Sequence, residues 1–414
     1  MENTPTHTVP LDLRKIRKHI PLLDSKVNGS PLVYFDNAAT TQKPLELIEA
    51  INTYYQFHNA NIHRGAHYLA NLATGEFEQT RTDMAAWLNA AESAEIIFTS
   101  GTTESINLVA QCWGHAFLQQ GDEILVSTTE HHSNIVPWQM AAERSGAALK
   151  VIPIDDNGLW DLSTLDTLIS SRTKMLAIQQ VSNALGTIQP IDKVIAEAKK
   201  VGACVLIDGA QAIGHFKVDV QALDCDFYTF SAHKMYGPTG VGVLYGKRQW
   251  LDAMPPYKGG GEMIKTVSFE KTTYNVLPHK FEAGTPDIAG VIALNAALGY
   301  MRDLGMEAIA AQEEKLRSKM DRVLHAIDGI RIYGDTTYKV PIFSFNIDGI
   351  HPYDLGTLLD KQGVAVRTGH HCTEPLWTRL QAPGTVRASL AMYNTEEEID
   401  LFVMALQKAI HMLR

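Results

Sequence analysis

Between residues 95 and 246, short apolar runs alternate with segments whose apolar residues recur every three to four positions. EIIFT (95–99) precedes a helical pattern over 105–120, and EILVST (123–128) precedes one over 135–146. KVIPI (150–154) and MLAIQQVS (175–182) come before a third helical pattern at 194–202, and CVLID (204–208), FYTFS (227–231) and GVGVLYG (240–246) follow. Nearly continuous apolar runs predict strands covered on both faces, and their alternation with helices predicts α/β crossovers around a mostly parallel sheet.

From about residue 288 the pattern changes to a long helical stretch, IAGVIALNAALGYMRDLG and on through AIAAQEEKLRSKMDRVLHAI. Separate strands at 341–347 and 364–366 and a last helix, EEEIDLFVMALQKAIHML, then predict a smaller α+β domain. The chain divides on this basis into three parts. Residues 1–25 form an N-terminal helical segment packing with the small domain, 26–288 a large α/β domain, and 289–414 a small C-terminal domain carrying the loop at Cys372. No internal repeat, low-complexity tract or long linker interrupts the pattern.

Composition narrows the function class. An apolar share of 45% and a charged share of 20% over 414 residues are those of an ordinary globular chain. A net charge of −10 argues against nucleic acid as the main partner, since phosphate binding shows as clustered Lys and Arg. No run of about 18 apolar residues predicts a membrane span, and the start lacks the apolar core and cleavage site of a secretory signal. Four scattered cysteines do not make a disulfide framework, so a reducing cytoplasm is the expected compartment. Cys112, Cys204 and Cys225 sit in apolar stretches and read as small buried hydrophobes. Cys372 does not: it lies in RTGHHCTEP (367–375), after two histidines and near Arg367.

Three segments point to chemistry. CVLIDGAQA ends an apolar strand on Asp208, at the carboxyl end where α/β sheets place ligands. DFYTFSAHKMYGPTG ends the next strand on Ser231, His233 and Lys234. Alone, that lysine is an ordinary solvated loop residue. With Asp208 on the preceding strand it matches the needs of pyridoxal phosphate (PLP): an amine for a Schiff base, and a carboxylate to keep the pyridine nitrogen protonated. FTSGTTESINLVA supplies a strand, Gly101, Thr102, Thr103 and a helix start, which would hold a phosphate at the positive helix end. By itself GTTES reads equally well as an ordinary helix cap; the three sites together favour PLP. His370, His371 and Cys372 lack metal-ligand spacing, and no metal is expected.

DNAATTQKP (36–44), SGTTESINLVA, EHHSNIVPW (130–138), VSNALGT (182–187), DGAQA, SAHKMYGPTGVG, FEAGTPDIAG (281–290), RTGHHC and VRASLAMYN (386–394) occur in order. With these blocks the chain resembles the class V aminotransferase family, and within it the type II (SufS-like) cysteine desulfurases, from about residue 13 to the C-terminus. The resemblance implies fold type I of the PLP-dependent transferases, with a mostly parallel seven-stranded sheet in the large domain. It implies that Lys234 is the Schiff-base lysine and that Asp208 partners the pyridine nitrogen. His131 is expected on the ring face and Gln211 near the ring hydroxyl, with Thr102, Thr103, Ser231 and His233 at the phosphate. Thr285 is expected to reach the phosphate from the second subunit of a homodimer. Asn183 and Arg387 are expected on the substrate carboxylate, and Arg367 on the substrate side near the cysteine loop. The implied reaction is that of a PLP-dependent sulfurtransferase, taking L-cysteine to L-alanine with a persulfide on Cys372, for iron–sulfur cluster assembly.

The chain departs from the family's commoner pattern at Ser100 (often Arg), at Ser105 (often Gly) and in CTEPLW after the nucleophile. The implied sulfur acceptor is a SufE-like or a zinc-bearing SufU-like protein. Tyr353 stands where partners of the zinc type tend to have histidine, which favours the SufE-like kind, although His351 lies two residues away. L-Selenocysteine lysis at the same site is the alternative reaction. A transaminase has no use for the cysteine loop, and an inactive scaffold would be expected to lack Lys234, Asp208 or Arg387, all of which are present.

Overall fold

A computed structural model describes residues 10–414; the first nine residues of the expected 1–25 segment lie outside the described residues. The predicted strands form one seven-stranded sheet: β1 (Ile96–Thr99), β2 (Glu123–Ser127), β3 (Ala148–Ile152), β4 (Thr173–Gln179), β5 (Cys204–Asp208), β6 (Phe227–Ser231) and β7 (Gly242–Gly246). Their order is β1-β7-β6-β5-β4-β2-β3, with β6 to β3 parallel and β7 antiparallel to both its neighbours. Strands β2, β5, β6 and β7 are buried along their whole length, as their unbroken apolar runs require. β3 is an edge strand with only Ile152 buried, and it starts two residues earlier than the pattern predicts, because Ala148 pairs with Glu123.

Register sets the chemistry. Gln179, Asp208 and Thr229 align across β4, β5 and β6, and Ser231, Gly242 and Thr99 align across β6, β7 and β1. The polar ends of the parallel strands therefore open on one edge of the sheet, where α/β folds form their crevice. A helix that the pattern reading did not pick out, Tyr68–Leu88, buries Phe77, Met84 and Leu88, but also Thr80 and Arg81, which weakens its apolar periodicity.

A second, antiparallel sheet holds β8 (Ile330–Tyr333), β9 (Ile342–Ile347), β10 (Arg367–Gly369) and β11 (Thr385–Ser389), in the order β8-β9-β11-β10. The helical stretch after 288 is two helices, Ile288–Leu304 and Met306–His325, divided at Gly305 with φ +80°. Packing divides these elements between two cores. Val291, Leu294 and Leu298 of the first helix join the large core, and so do Met306 and Ile309, whereas Leu316, Met320 and Leu324 join the small one. The change of core thus falls within the helix Met306–His325. At the other end, Val33 and Tyr34 pair in parallel with Val364 and Ala365, and Phe35 sits in the small core. Residues 33–36 thus join the small unit, with Asp36 bridging Ser389, whereas Ile16, Ile20 and Leu23 pack in the large core.

Candidate active site

The carboxyl ends of β4, β5 and β6 open on a cavity of about 210 Å³. Thr102, Thr103, His131, Asn183, Asp208, Gln211, Ser231, His233, Lys234, Arg367, Cys372 and Arg387 all line it. Of the residues expected at the site, only Thr285 lies elsewhere within the chain: it is exposed, beside a second depression with Ser100, Glu104 and Lys258.

Asp208 ends β5 enclosed by protein, and its Oδ1 accepts the Ala210 N–H at 2.9 Å. Burial pushes its carboxyl above the usual range, opposed by that N–H and by Lys234. Lys234 ends the short turn after β6; burial pushes its ammonium down to about 8, with Asp208 opposing. Gln211 donates through Nε2 to the carbonyl of Ala38 at 2.7 Å, which ties the Asp208 loop to the N-terminal segment.

At the other end of the cavity, Gly101 precedes the helix Thr102–Phe117. Gly242 permits the close approach, because a Cβ there would lie 2.4 Å from the Gly101 Cα. The Ser231 Oγ accepts the Thr102 N–H at 2.8 Å and lies 2.8 Å from the Thr102 Oγ1, so the helix start is fastened over the end of β6. Thr103 remains open to solvent. The Nδ1 of His233 is buried without a partner among the described residues, and burial pushes that imidazole down to about 4.

The opposite wall carries His131 and the cysteine loop. The His131 Nδ1 accepts the Ser133 N–H at 3.1 Å, which leaves any ring proton on Nε2; burial and the nearby cations hold the imidazole down to about 3. Cys372 is half-buried, with Arg367 Nη2 at 4.0 Å from its Sγ. Arg387 is fully enclosed: one Nη pairs with Asp36 Oδ1 at 3.0 Å and the other donates to the Asn183 carbonyl at 2.8 Å, while Nε has no partner among the described residues. Part of the guanidinium fork expected on a substrate carboxylate is thus already committed. The Asn183 Nδ2 donates to the His371 carbonyl at 2.7 Å, and its Oδ1 is likewise unpartnered.

Several residues at the site were not read from sequence. Asp36 sits in DNAATTQKP, but only its pairing with Arg387 gives it a place. Lys43, in the same block, donates to the His233 carbonyl at 3.0 Å, and burial pushes its ammonium down to about 7. His132 grips the cysteine loop, and Glu130 is buried behind His131; the His-His pair was the available signal. Arg81, buried in its helix, forms a bidentate pair with Glu282 at 2.7 and 2.8 Å and so fixes the segment leading to Thr285.

The residues fit PLP. An amine stands ready for the aldehyde and a buried acid for the ring nitrogen. A helix start with hydroxyls and the unpartnered His233 Nδ1 suits the phosphate, and the free Arg387 Nε suits an added carboxylate.

Fold and site are those of a class V aminotransferase: the sequence profile described as Aminotransferase class-V matches residues 33–402, and the chain belongs to that family. Within the family it belongs with the cysteine desulfurases. It is 50% identical over 402 residues to the cysteine desulfurase of Enterobacter sp. (strain 638), covering 97% of this chain and 99% of that one. It is 49% identical over 400 residues to that of Synechococcus elongatus, covering 97% of this chain but spanning 64% of the longer relative. The crystal structure of the cysteine desulfurase CsdA from Escherichia coli superposes with a TM-score of 0.91 at 40% identity, covering 98% of this chain and all of that one.

Proposed function

We propose that the chain takes sulfur from L-cysteine with PLP on Lys234 and receives it on Cys372, releasing L-alanine. The observation that carries this reading is one cavity lined by both Lys234 and Cys372, residues 138 positions apart on different structural units. PLP, when bound, supplies an electron sink next to the substrate Cα. The residues do the rest. Arg387 Nε and Asn183 would hold the substrate carboxylate, and Asp208 would pair with the ring nitrogen. The Lys234 amine removes the Cα proton; with its pKa down at about 8, a usable fraction is unprotonated near neutral pH.

The Cys372 thiolate, beside the Arg367 guanidinium, attacks the substrate sulfur. A sulfur–sulfur bond forms as the carbon–sulfur bond breaks. The electron pair of the broken bond stays with the substrate's β-carbon, which takes a proton; the Lys234 ammonium returns a proton to Cα, and the carbon skeleton leaves as alanine. The sulfur stays on Cys372 as a persulfide.

The finer reading is a SufS-like enzyme of the cytoplasm that feeds iron–sulfur cluster assembly. It acts as a homodimer in which Thr285 of a second copy completes the phosphate site, and its exposed position within one chain supports that role. A SufE-like acceptor is favoured, because Tyr353 is exposed where the zinc type uses histidine. His351 is already engaged in capping its helix, its Nδ1 accepting the Tyr353 N–H at 3.3 Å. The test measures alanine and Cys372 persulfide from L-cysteine, with and without each acceptor type. Alanine without persulfide on Cys372 would sink the mechanism, and stimulation by the zinc type alone would sink the acceptor choice. L-Selenocysteine turned over equally well by wild type and C372S would favour the lyase alternative.

A further inference from the structure

Backbone conformation and hydrogen bonding at the cysteine loop point to a residue so far without a role. His371 and Cys372 both have positive φ, +51° and +58°. Side-chain-bearing residues rarely adopt this conformation, and it persists where the surroundings over-determine it. One flank of the loop is internally fixed, with the His370 carbonyl accepting from Thr373 N–H at 2.9 Å and Trp377 Nε1 at 2.7 Å. The other flank is held by His132, on the same wall of the cavity. Its backbone N–H donates to the Cys372 carbonyl at 2.8 Å, and its Nε2 accepts the Glu374 N–H at 3.0 Å. Thr373, at the N-cap of the helix Glu374–Arg379, makes no side-chain cap, so the imidazole of another unit caps the helix that follows the thiol.

We propose that His132 is a positioning residue for the Cys372 thiol, and that the His131–His132 pair ties the two halves of the site to one wall. This rests on the reading of Cys372 as the nucleophile. His131 lines the cavity over the cofactor site while its neighbour grips the loop, so the thiol and the substrate keep one frame of reference. The bond from Glu374 N–H requires an unprotonated Nε2, so only an acceptor at that position can replace the imidazole.

The test uses the PLP-loaded protein. In H132A, amide hydrogen exchange over residues 370–376 quickens about tenfold, the scale expected for one lost anchoring hydrogen bond. Single-turnover persulfide formation on Cys372 slows about 100-fold, as for a reacting group displaced by about 1 Å. The cofactor absorbance and its change on adding L-cysteine stay as in wild type. H132Q, which keeps an acceptor near the Nε2 position, restores both rates, and H132N, whose acceptor falls short, behaves like H132A. Wild-type exchange and persulfide rates in H132A overturn the clamp, as does H132Q behaving like H132A. If H132A does not fold, the contrast between H132N and H132Q decides. A C372S protein that makes alanine at the wild-type rate would overturn the underlying function, whereas loop exchange reads the clamp itself.

Discussion

The two halves of the site are built in opposite ways. Asp208 and Ser231 are the last residues of adjacent parallel strands, and Lys234 follows three residues on. Their places follow from sheet register, and moving them requires moving the sheet. Cys372 sits between β10 and a six-residue helix, with its backbone in the left-handed region and its loop held by His132 and Asn183 of the large unit. Electrostatics differ in the same sense. Burial pushes Asp208 up and Lys234 down, and each is the other's compensating charge. Cys372 is half-buried and has one guanidinium at 4.0 Å. In the proposed reaction, groups that must stay fixed are set on the sheet, whereas the thiol that would meet substrate inside and hand sulfur outward is set on a loop held by a few breakable contacts.

Removing one half at a time breaks that comparison most sharply. K234A is expected to lose both functions, with alanine formation down by about 10,000-fold or more and the visible cofactor absorbance gone. C372S is expected to form no persulfide and essentially no alanine, yet to keep the cofactor absorbance and its change on adding L-cysteine. A C372S protein that loses its cofactor would mean that the halves are not separable. R387A comes next. It removes the expected carboxylate partner and strands the Asp36 carboxylate, and kcat/KM should fall about 100- to 1,000-fold, chiefly through KM, as expected for truncating one member of a buried charge pair. R387K should recover little of this, because an ammonium lacks the planar fork.

The same contrast decides what could be read from sequence. β5 and β6 were legible to the residue because a strand buried on both faces is a nearly continuous apolar run, with a polar residue, Asp208 or Ser231, at its end. Asp208 and Lys234 inherited that clarity. β10 and β11 were missed because RTG and TVRAS carry polar residues, Arg367 and Arg387, that serve the site and interrupt the pattern. Asp36, Lys43 and His132 act through carbonyls, N–H groups and ion pairs with residues far along the chain, which no local periodicity reports. One apolar face runs through Met306–His325 while changing partner midway, so periodicity there does not mark where one core gives way to the other.

A smaller effect sharpens the electrostatic side of the comparison. In the cofactor-free protein, Lys234 captures PLP through its neutral amine, whose fraction rises with pH up to about 8. The rate of cofactor uptake, followed by absorbance, should climb about tenfold per pH unit below that value and flatten above it. Uptake that still climbs at the same slope well above pH 8 would show a lysine with an ordinary ammonium and no effect of burial.

The smallest expected effect concerns Glu130, the second buried acid near the cavity and the one without a compensating cation. Its Oε1 accepts the Gln179 N–H at 3.0 Å and its Oε2 accepts Asn134 Nδ2 at 2.7 Å, yet burial pushes the carboxyl up to about 8. An acid raised from 4.5 to about 8 on folding contributes stability that is fully present below about pH 4.5 and lost as pH rises to about 8. E130Q cannot titrate, and it turns an amide NH₂ toward one of two N–H donors at a cost of about 1–3 kcal/mol. Wild type should therefore melt above E130Q in mild acid, lose that advantage and fall below E130Q as pH rises toward 8, and hold a steady difference beyond it. A gap independent of pH would mean that Glu130 is ionised throughout. The wall shared by His131 and His132 would then rest on a buried anion, and the two halves of the site would be electrostatically coupled through it.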